Sequence, residues 1–242
     1  MKVAAIGDIH GTTKFQDCYE QINNSDKDID KIIVLGDWFD PYDDIPFETM
    51  LDRYHYFIEC CEKDDRIVSI LGNHDLEGYI ICGETNRTAK SRRHRQTISE
   101  EITKNLPNSY LVYKIGDWLF SHAGVSGDWF NYVKNYNPEY AKRLLTNQKG
   151  WTPDELGDIC SFYPLDYSCY GDHTYQGCTW IRPSALLRSH LEGYNQIIAH
   201  TQVEEFVNLK NEDPDNELDV DIWMIDNQRK SEYFTIKIEK SE

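Results

Sequence analysis

Five short apolar stretches in this chain end in the same way, with a small residue next to an acid, an amide or a histidine. The segments that close them read GDIHG, GDWFD, GNHD, SHAG and AHT, and they begin at residues 7, 36, 72, 121 and 199. Short apolar runs bounded by turn residues are typical of buried strands. Because ligands in α/β sheets bind beyond the carboxyl ends of the strands, we expect these five segments to converge on one crevice.

The spacing of the apolar runs predicts an α/β fold. Runs at 2–6, 31–35 and 67–71 are separated by helix candidates around 14–24 and 46–63. Strands and helices in this order build a parallel sheet with crossover helices. Further strands are predicted at 110–115, 118–121, 195–199, 203–208, 221–225 and 232–238, and further helices at 96–104, 138–148 and 183–192. We expect a single domain over residues 1–242, with a helical and loop-rich insertion at about 126–192.

Composition limits the partners and the compartment. Asp and Glu outnumber Lys and Arg by 42 to 25, and the net charge of −17 disfavours binding of nucleic acid or anionic membranes by the general surface. No apolar run approaches the roughly 18 residues of a membrane span, so we expect no membrane partner. The seven cysteines lack a CxxC pair. Reduced thiols of this kind are typical of a cytoplasmic protein.

The polar residues in the five segments are of the types that bind metal ions. In an extended strand, residues i and i+2 point to the same side, so Asp8 and His10 of GDIHG can face one point. Carboxylate, imidazole and amide groups suit Mn, Fe, Zn or similar ions. None of the seven cysteines lies in these segments, so a thiolate site is not indicated. A pair of such ions can lower the pKa of a water and clamp the oxygens of a phosphoryl transfer. The alternative is that these residues are polar strand ends, or that His122 and His200 are hydrogen-bonded core histidines.

The ordered set of five motifs resembles the calcineurin-like metallophosphoesterases, in particular the branch of the protein Ser/Thr phosphatases and their bacterial and phage relatives. The resemblance extends over residues 7–202. It implies two packed β-sheets flanked by helices in a four-layer αββα sandwich. It also implies hydrolysis of phosphate monoesters, most simply on Ser or Thr of a phosphoprotein. The implied cofactors are two divalent metal ions, Mn first, with Fe, Zn, Ni and Co as alternatives.

The same resemblance assigns roles to individual residues. It implies that Asp37 bridges the two ions, and that the other ligands are Asp8 and His10 for the first ion and Asn73, His122 and His200 for the second. It also implies that Asn73 contacts the substrate phosphate. His74 is then free of metal and paired with Asp40, as the general acid toward the leaving group. For Asp40 the alternative is a solvated turn acid, and Asp75 is interpreted as a supporting group only.

One departure from the family pattern concerns the arginine that binds the substrate phosphate. The second motif of the family commonly continues Asp-Arg-Gly, whereas here Asp40 is followed by Pro41 and Tyr42. The segment from Trp180 to Pro183 resembles a Trp-x-Arg-Pro segment of bacterial members, so Arg182 is predicted to bind the substrate phosphate. The alternative for Arg182 is a surface salt bridge.

The sequence allows more than one interpretation of the substrate. A hydrolase of nucleotides or dinucleoside polyphosphates is the second reading, and a noncatalytic metal-dependent binding module is the third, disfavoured by the intact His74 and Asp40. The basic run Arg87–Arg95 is either a solvated helix start or a rim for further phosphates or a nucleic-acid strand, and nucleic acid is the less favoured partner. Four aromatic residues of the insertion are predicted either to line the site or to pack in the core: Trp151, Tyr163, Tyr167 and Tyr170.

Overall fold

The computed structural model of the protein describes residues 1–76, 93–161, 171–211, 218–227 and 230–239. The strands are β1 (Lys2–Ile6), β2 (Lys31–Val34), β3 (Ile67–Ile70), β4 (Ser109–Tyr110), β5 (Val112–Ile115), β6 (Trp118–Ser121), β7 (Asn195–Gln202), β8 (Val207–Asn208), β9 (Ile222–Asp226) and β10 (Phe234–Lys237). The α-helices are α1 (Lys14–Ser25), α2 (Phe47–Lys63), α3 (Asn73–Leu76), α4 (Arg95–Asn105), α5 (Gly127–Tyr136), α6 (Pro138–Leu145), α7 (Pro153–Ser161) and α8 (Pro183–Arg188).

The first sheet has the strand order β10-β1-β2-β3-β4, and the four strands from β1 to β4 run parallel to one another. Helices α1 and α2 connect β1 to β2 and β2 to β3, as parallel neighbours require. The parallel register places the carboxyl ends of β1, β2 and β3 at one edge. This part of the fold agrees with the elements predicted from the apolar runs.

The second sheet has the order β5-β6-β7-β9-β8, with β6, β7 and β9 parallel to one another. The predicted pair at 110–115 and 118–121 is only partly right. Val112–Ile115 pairs antiparallel with Trp118–Ser121, but Ser109–Tyr110 belongs to the first sheet. Leu111, which is fully buried, is the one residue between the end of β4 in the first sheet and the start of β5 in the second.

The sheets pack face to face, and helices cover their outer faces. Every second residue of the strands faces the other sheet, and these side chains form the central layer. It contains Val3, Ala5, Ile33, Leu35, Phe120, Ile197 and Ala199. On the outer side of the first sheet, Ala4, Ile6 and Ile32 pack with buried residues of α1, α2 and α4. On the outer side of the second sheet, Ile198 and Met224 pack with α8. The predicted αββα layering is therefore confirmed.

Local rules explain where several helices begin and end. Helix α5 starts after Ser126, whose hydroxyl oxygen accepts a hydrogen bond from the Trp129 N–H at 3.1 Å. The helix predicted at 183–192 ends earlier, at Arg188. It stops because His190 forms a β-bridge with Ser126, while the carbonyl of Ser189 accepts the Gly127 N–H. The strand predicted at 203–208 is likewise reduced to Val207–Asn208.

The structure also bears on the remaining features predicted from the sequence. Within the described ranges, no helix combines the length and apolar character needed to cross a membrane. Cys18, Cys60, Cys61 and Cys178 form no disulfide. Trp151 is buried under the guanidinium of Arg143, with 3.8 Å between Cζ and the ring centroid, so it packs in the core. The other three aromatic residues of the insertion, and the basic run up to residue 92, lie outside the described residues.

Candidate metal centre

The five polar segments converge on one buried cluster, as the sequence predicts. Asp8 and His10 follow β1, Asp37 follows β2, Asn73 begins α3, His122 follows β6 and His200 lies in β7, and all six are buried. His10 Nε2 lies 3.5 Å from a carboxylate oxygen of Asp8 and 3.6 Å from one of Asp37. His122 Nε2 lies 3.4 Å from Asp37 and 2.9 Å from the Asn73 amide oxygen. Both sheets therefore contribute to the cluster.

The backbone of the cluster is held in an uncommon conformation. His10, Asp37, Asp40 and His200 have φ values of 44°, 55°, 71° and 64°. Residues other than glycine rarely adopt positive φ, and such strain concentrates at functional sites. In β7 the pairing register with β9 shifts between Ile198 and Gln202. His200 lies in this irregular stretch, where its backbone N–H donates to Asp8 Oδ1 at 3.1 Å and its Nδ1 lies 3.2 Å from His122 Nε2.

Backbone carbonyls fix the orientation of two imidazoles. His10 Nδ1 lies 2.9 Å from the carbonyl of Asp40, and His122 Nδ1 lies 2.7 Å from that of Leu35. A carbonyl only accepts, so each Nδ1 must donate, and each Nε2 is left to offer a lone pair to an ion. His10 Nε2 and His200 Nε2 are buried without a hydrogen-bond partner in the described part of the chain. These nitrogen atoms fit metal ligands better than core hydrogen-bonding groups.

Two overlapping sets of donor atoms can each hold an ion. One comprises His10, Asp37 and His74, and the other comprises Asp37, His122 and His200; within each set the atoms lie within 4.8 Å of one another. Asp37 belongs to both sets, as expected of a bridging carboxylate. The nitrogen and oxygen donors suit a hard or borderline divalent ion. The presence of His74 in the first set gives this residue a second candidate role, as a ligand.

Burial and the neighbouring charges shift the pKa values of most residues of the cluster in opposite directions. Burial would lower the pKa of His10 and His122, but Asp8 and Asp37 raise them to about 9 and about 10. Burial would raise the pKa of Asp37, but His122 and His74 hold it well below its ordinary value. His200 differs, because burial and the neighbouring His122 both lower its pKa. The two carboxylates therefore stay ionised beside positive charge.

His74 and Asp40 form the pair that the sequence predicts. His74 Nδ1 lies 3.0 Å from Asp40 Oδ2, and the His74 backbone N–H donates to Asp37 Oδ1 at 2.8 Å. The Asp40 side chain is buried, whereas that of His74 is 26% exposed. The alternative of a solvated turn acid therefore does not describe Asp40. The exposed edge of His74 is accessible to a substrate.

Asp75 has a larger structural role than the sequence indicates. Its carboxylate accepts three backbone hydrogen bonds, from Asp37 at 2.9 Å, Trp38 at 2.8 Å and Gly72 at 2.8 Å. Burial, followed by the charge of Asp37, raises the pKa of Asp75 to about 6. Asp75 therefore fastens the loop after β2 to the loop after β3, and with it the position of Asp37.

Arg182 lies at the same end of the second sheet. Its Nη1 donates to Thr201 Oγ1 at 3.0 Å, next to His200, and its Cζ lies 5.6 Å from the Trp180 ring. The Trp180 ring in turn lies 5.4 Å from the ring of His200. Arg182 Nη1 also lies 3.5 Å from the His200 carbonyl oxygen, so the guanidinium is held beside the second donor set.

Two buried charged residues near the cluster are absent from the sequence prediction. Asp226 ends β9, and burial followed by the charge of Asp8 raises its pKa to about 8. Lys14 begins α1 and is buried, and its Nζ has no hydrogen-bond partner within the described ranges. Asp226 follows an apolar run as the other site residues do, so the same rule identifies it. No local pattern identifies Lys14, because its environment is created by distant residues.

A cavity of about 550 Å³ opens beside the cluster. Its walls include Asp8, His10, Lys14, Tyr42 and Lys230. It therefore gives a molecule from solvent access to the proposed ligands of the first ion.

The chain was compared with known proteins. The family model described as calcineurin-like phosphoesterase matches residues 1–204. The chain belongs to this family. Two solved structures of cold-active protein tyrosine phosphatase, one from the psychrophile Shewanella sp., share 17–18% identity with it at TM-scores of 0.55 and 0.57. Each alignment covers 94% of this chain and 70–71% of the other. A metallophosphoesterase from Sphaerobacter thermophilus aligns at 17% identity over 86% of this chain and 63% of its own, with a TM-score of 0.38. Curated proteins give no significant match.

Family membership confirms three predictions made from the sequence: the family, the fold class and the enzyme class. The chain is a metal-dependent phosphoesterase, and calcineurin-like phosphoesterases use a dinuclear divalent metal centre. The donor sets described above fit such a centre.

Gly72 gives a direct test of how closely the loops approach. A Cβ at residue 72 would lie 2.1 Å from Asp37 Oδ1, so Gly72→Ala must displace the shared carboxylate. We expect this variant to lose both ions, measured as bound Mn per chain by elemental analysis. Gly157→Ala is the matched control, because nothing lies within 4 Å of its Cβ. Full metal loading of Gly72→Ala would contradict the shared role of Asp37.

Asp75→Asn tests the link between the loops. An amide presents only one acceptor oxygen, so at least one buried backbone N–H loses its partner, at a cost of about 1–3 kcal/mol. We expect the free energy of unfolding in urea, measured with a chelator present, to fall by that amount. Asp65→Asn, at an exposed aspartate, is the control and should leave stability unchanged. Equal stability of the two variants would refute the proposed link.

The raised pKa values predict how metal binding depends on pH. At pH 7 the metal-free protein carries protons on His10 and His122, with pKa values of about 9 and about 10. An ion needs the nitrogen lone pairs, so binding at pH 7 releases about two protons and the apparent affinity rises as the pH approaches 9. Calorimetric titration with Mn²⁺ in buffers of different ionisation enthalpy measures the release. Binding without proton release at pH 7 would contradict these protonation states.

Proposed function

We propose that this phosphatase hydrolyses phosphate monoesters on proteins, including phosphoserine and phosphothreonine, with Asp8, His10, Asp37, Asn73, His122 and His200 as metal ligands. The observation that carries the proposal is the His74–Asp40 pair, 3.0 Å apart, beside the carboxylate shared by both donor sets. A metal centre with a positioned acid beside it suits a leaving group that needs a proton. Seryl and threonyl alkoxides are such leaving groups.

Each residue of the site has a defined part in the proposed reaction. When bound, the two ions would neutralise phosphate charge and lower the pKa of a water. His74 donates a proton to the leaving oxygen, and Asp40 holds its ring and stabilises the imidazolium. Asn73 and Arg182 bind the phosphate oxygens. Arg182 takes the part of the family's arginine, whose position after Asp40 is held here by Pro41. Asp75 keeps Asp37 in position.

The metal and the location complete the proposal. Mn²⁺ is the first choice, because the donor set combines carboxylate, imidazole and amide groups without a thiolate. Fe, Zn, Ni and Co are the alternatives. We also propose a cytoplasmic location, supported by the four cysteines that remain thiols.

A second candidate is a hydrolase of nucleotides or dinucleoside polyphosphates. It is favoured by Pro41 and Tyr42 after Asp40 and by Lys230 in the cavity wall, whose ammonium group would meet a further phosphate. A dinucleoside polyphosphate turned over far better than any phosphopeptide would establish this alternative.

His74→Asn tests the proposed chemistry. We expect kcat on a phosphothreonine peptide to fall about a hundredfold to ten-thousandfold with Mn retained, in line with removal of a general acid. The loss should be much smaller on p-nitrophenyl phosphate, whose leaving group needs little help from a proton. Asp37→Asn should instead lose metal, since it removes the bridge.

His55→Asn is the matched control, because His55 is an exposed histidine paired with Glu101, and it should keep full activity. Loss of an ion from His74→Asn would make His74 a ligand and refute its role as the acid. Equal losses on both substrates would refute proton donation to the leaving group.

A further inference from the structure

Tyr42 is a large aromatic side chain left in solvent at the entrance to the site. It is 65% exposed, and it lines the cavity that also contains Asp8 and His10. Burial of an aromatic ring is favourable, so a ring exposed at the mouth of a cavity marks a surface that a ligand can cover. Tyr136 is the other large aromatic side chain exposed to a similar degree in the described part of the chain, and it does not line this cavity.

The ring of Tyr42 is fixed relative to the reacting groups. Its centroid lies 4.5 Å from that of His10, with the ring planes at 65°. The ring of His74 is a second neighbour of His10, with 5.0 Å between centroids and 77° between the ring planes. Tyr42 and the proposed acid therefore contact the same imidazole. A leaving group that takes its proton from His74 departs beside the exposed surface of Tyr42.

Tyr42 also lies in the loop that departs from the family pattern. Pro41 stands at the position where the family pattern has arginine, and Tyr42 directly follows it. This loop therefore carries an exposed aromatic ring and lacks the arginine of the family.

We propose that Tyr42 is a specificity-determining residue that packs against the leaving group and favours aryl phosphomonoesters, with phosphotyrosine as their source in proteins. This inference rests on the proposed function and adds an aryl preference to it. In an aryl ester the ring is separated from phosphorus by one oxygen, so it lies at the depth of Tyr42. In a nucleotide a ribose holds the base farther out.

The reaction itself is unchanged. Water oxygen bonds to phosphorus, and the bond between phosphorus and the phenolic oxygen breaks. The phenolic oxygen takes one proton, so the products are a phenol and hydrogen phosphate. Tyr42 contributes no proton and no bond, and its effect is contact with the departing ring.

The test compares substrates that share everything except the leaving group. The Mn-loaded protein is assayed on a phosphotyrosine peptide, on the same peptide with phosphothreonine, and on adenosine 5′-monophosphate. In Tyr42→Ala and Tyr42→Leu, we expect the ratio of kcat/KM for phosphotyrosine over phosphothreonine to fall about five- to tenfold, the scale of one aromatic pair and its buried area. Tyr42→Phe should keep the ratio, and Tyr136→Ala is the matched control.

The outcomes separate the two proposals. Wild-type protein that is fully loaded with metal and hydrolyses none of the three substrates would refute the proposed function, and this inference with it. Turnover with an unchanged ratio in both Tyr42→Ala and Tyr42→Leu would refute only the role of Tyr42. Equal losses on both peptides would also refute it, because they indicate a disturbed His10. A loss on the nucleotide equal to that on phosphotyrosine would show that Tyr42 stacks on a base instead.

Discussion

Two carboxylates, Asp8 and Asp37, are buried side by side, and the rest of the site compensates their charge. Moving an ionised carboxylate out of water costs several kcal/mol unless charge and hydrogen bonds replace the water. His10 and His122 supply the charge, and the backbone N–H groups of His74 and His200 donate to the two carboxylates. Divalent ions would take over this role when bound. The strained backbone at His10, Asp37 and His200 follows from the same need, because ordinary conformations would not aim so many groups at one point.

Much of this arrangement could be predicted from the chain alone, because each site residue directly follows or ends an apolar run. A strand has a period of two and ends where its apolar run ends, so residues such as Asp8 and Asp37 are placed by local rules. The family and the fold class followed from the order of five such segments, and both are confirmed. The structure brings all six predicted ligands together, while their roles, and the single domain with its insertion at about 126–192, stay predictions.

What the chain alone could not show depends on contacts between distant segments. The support that Asp75 gives to two loops needs the loops to be adjacent, which only the parallel register of β2 and β3 ensures. Lys14 looks like an ordinary first residue of a surface helix until β9 brings Asp226 to it. The division of 109–115 between two sheets is also invisible locally, because residues on both sides of Leu111 have the same strand pattern. In each case the deciding interaction is tertiary.

The position of the cluster between the two sheets has a consequence for the whole molecule. Asp8, Asp37 and Asn73 follow strands of one sheet, whereas His122 follows a strand of the other sheet and His200 lies in one. Ions bound by both groups would connect the two sheets through the interior, and their binding free energy would add to the stability of the folded protein. The melting temperature would then depend on the concentration of free ion, so scarcity of the ion would weaken the fold together with its chemistry.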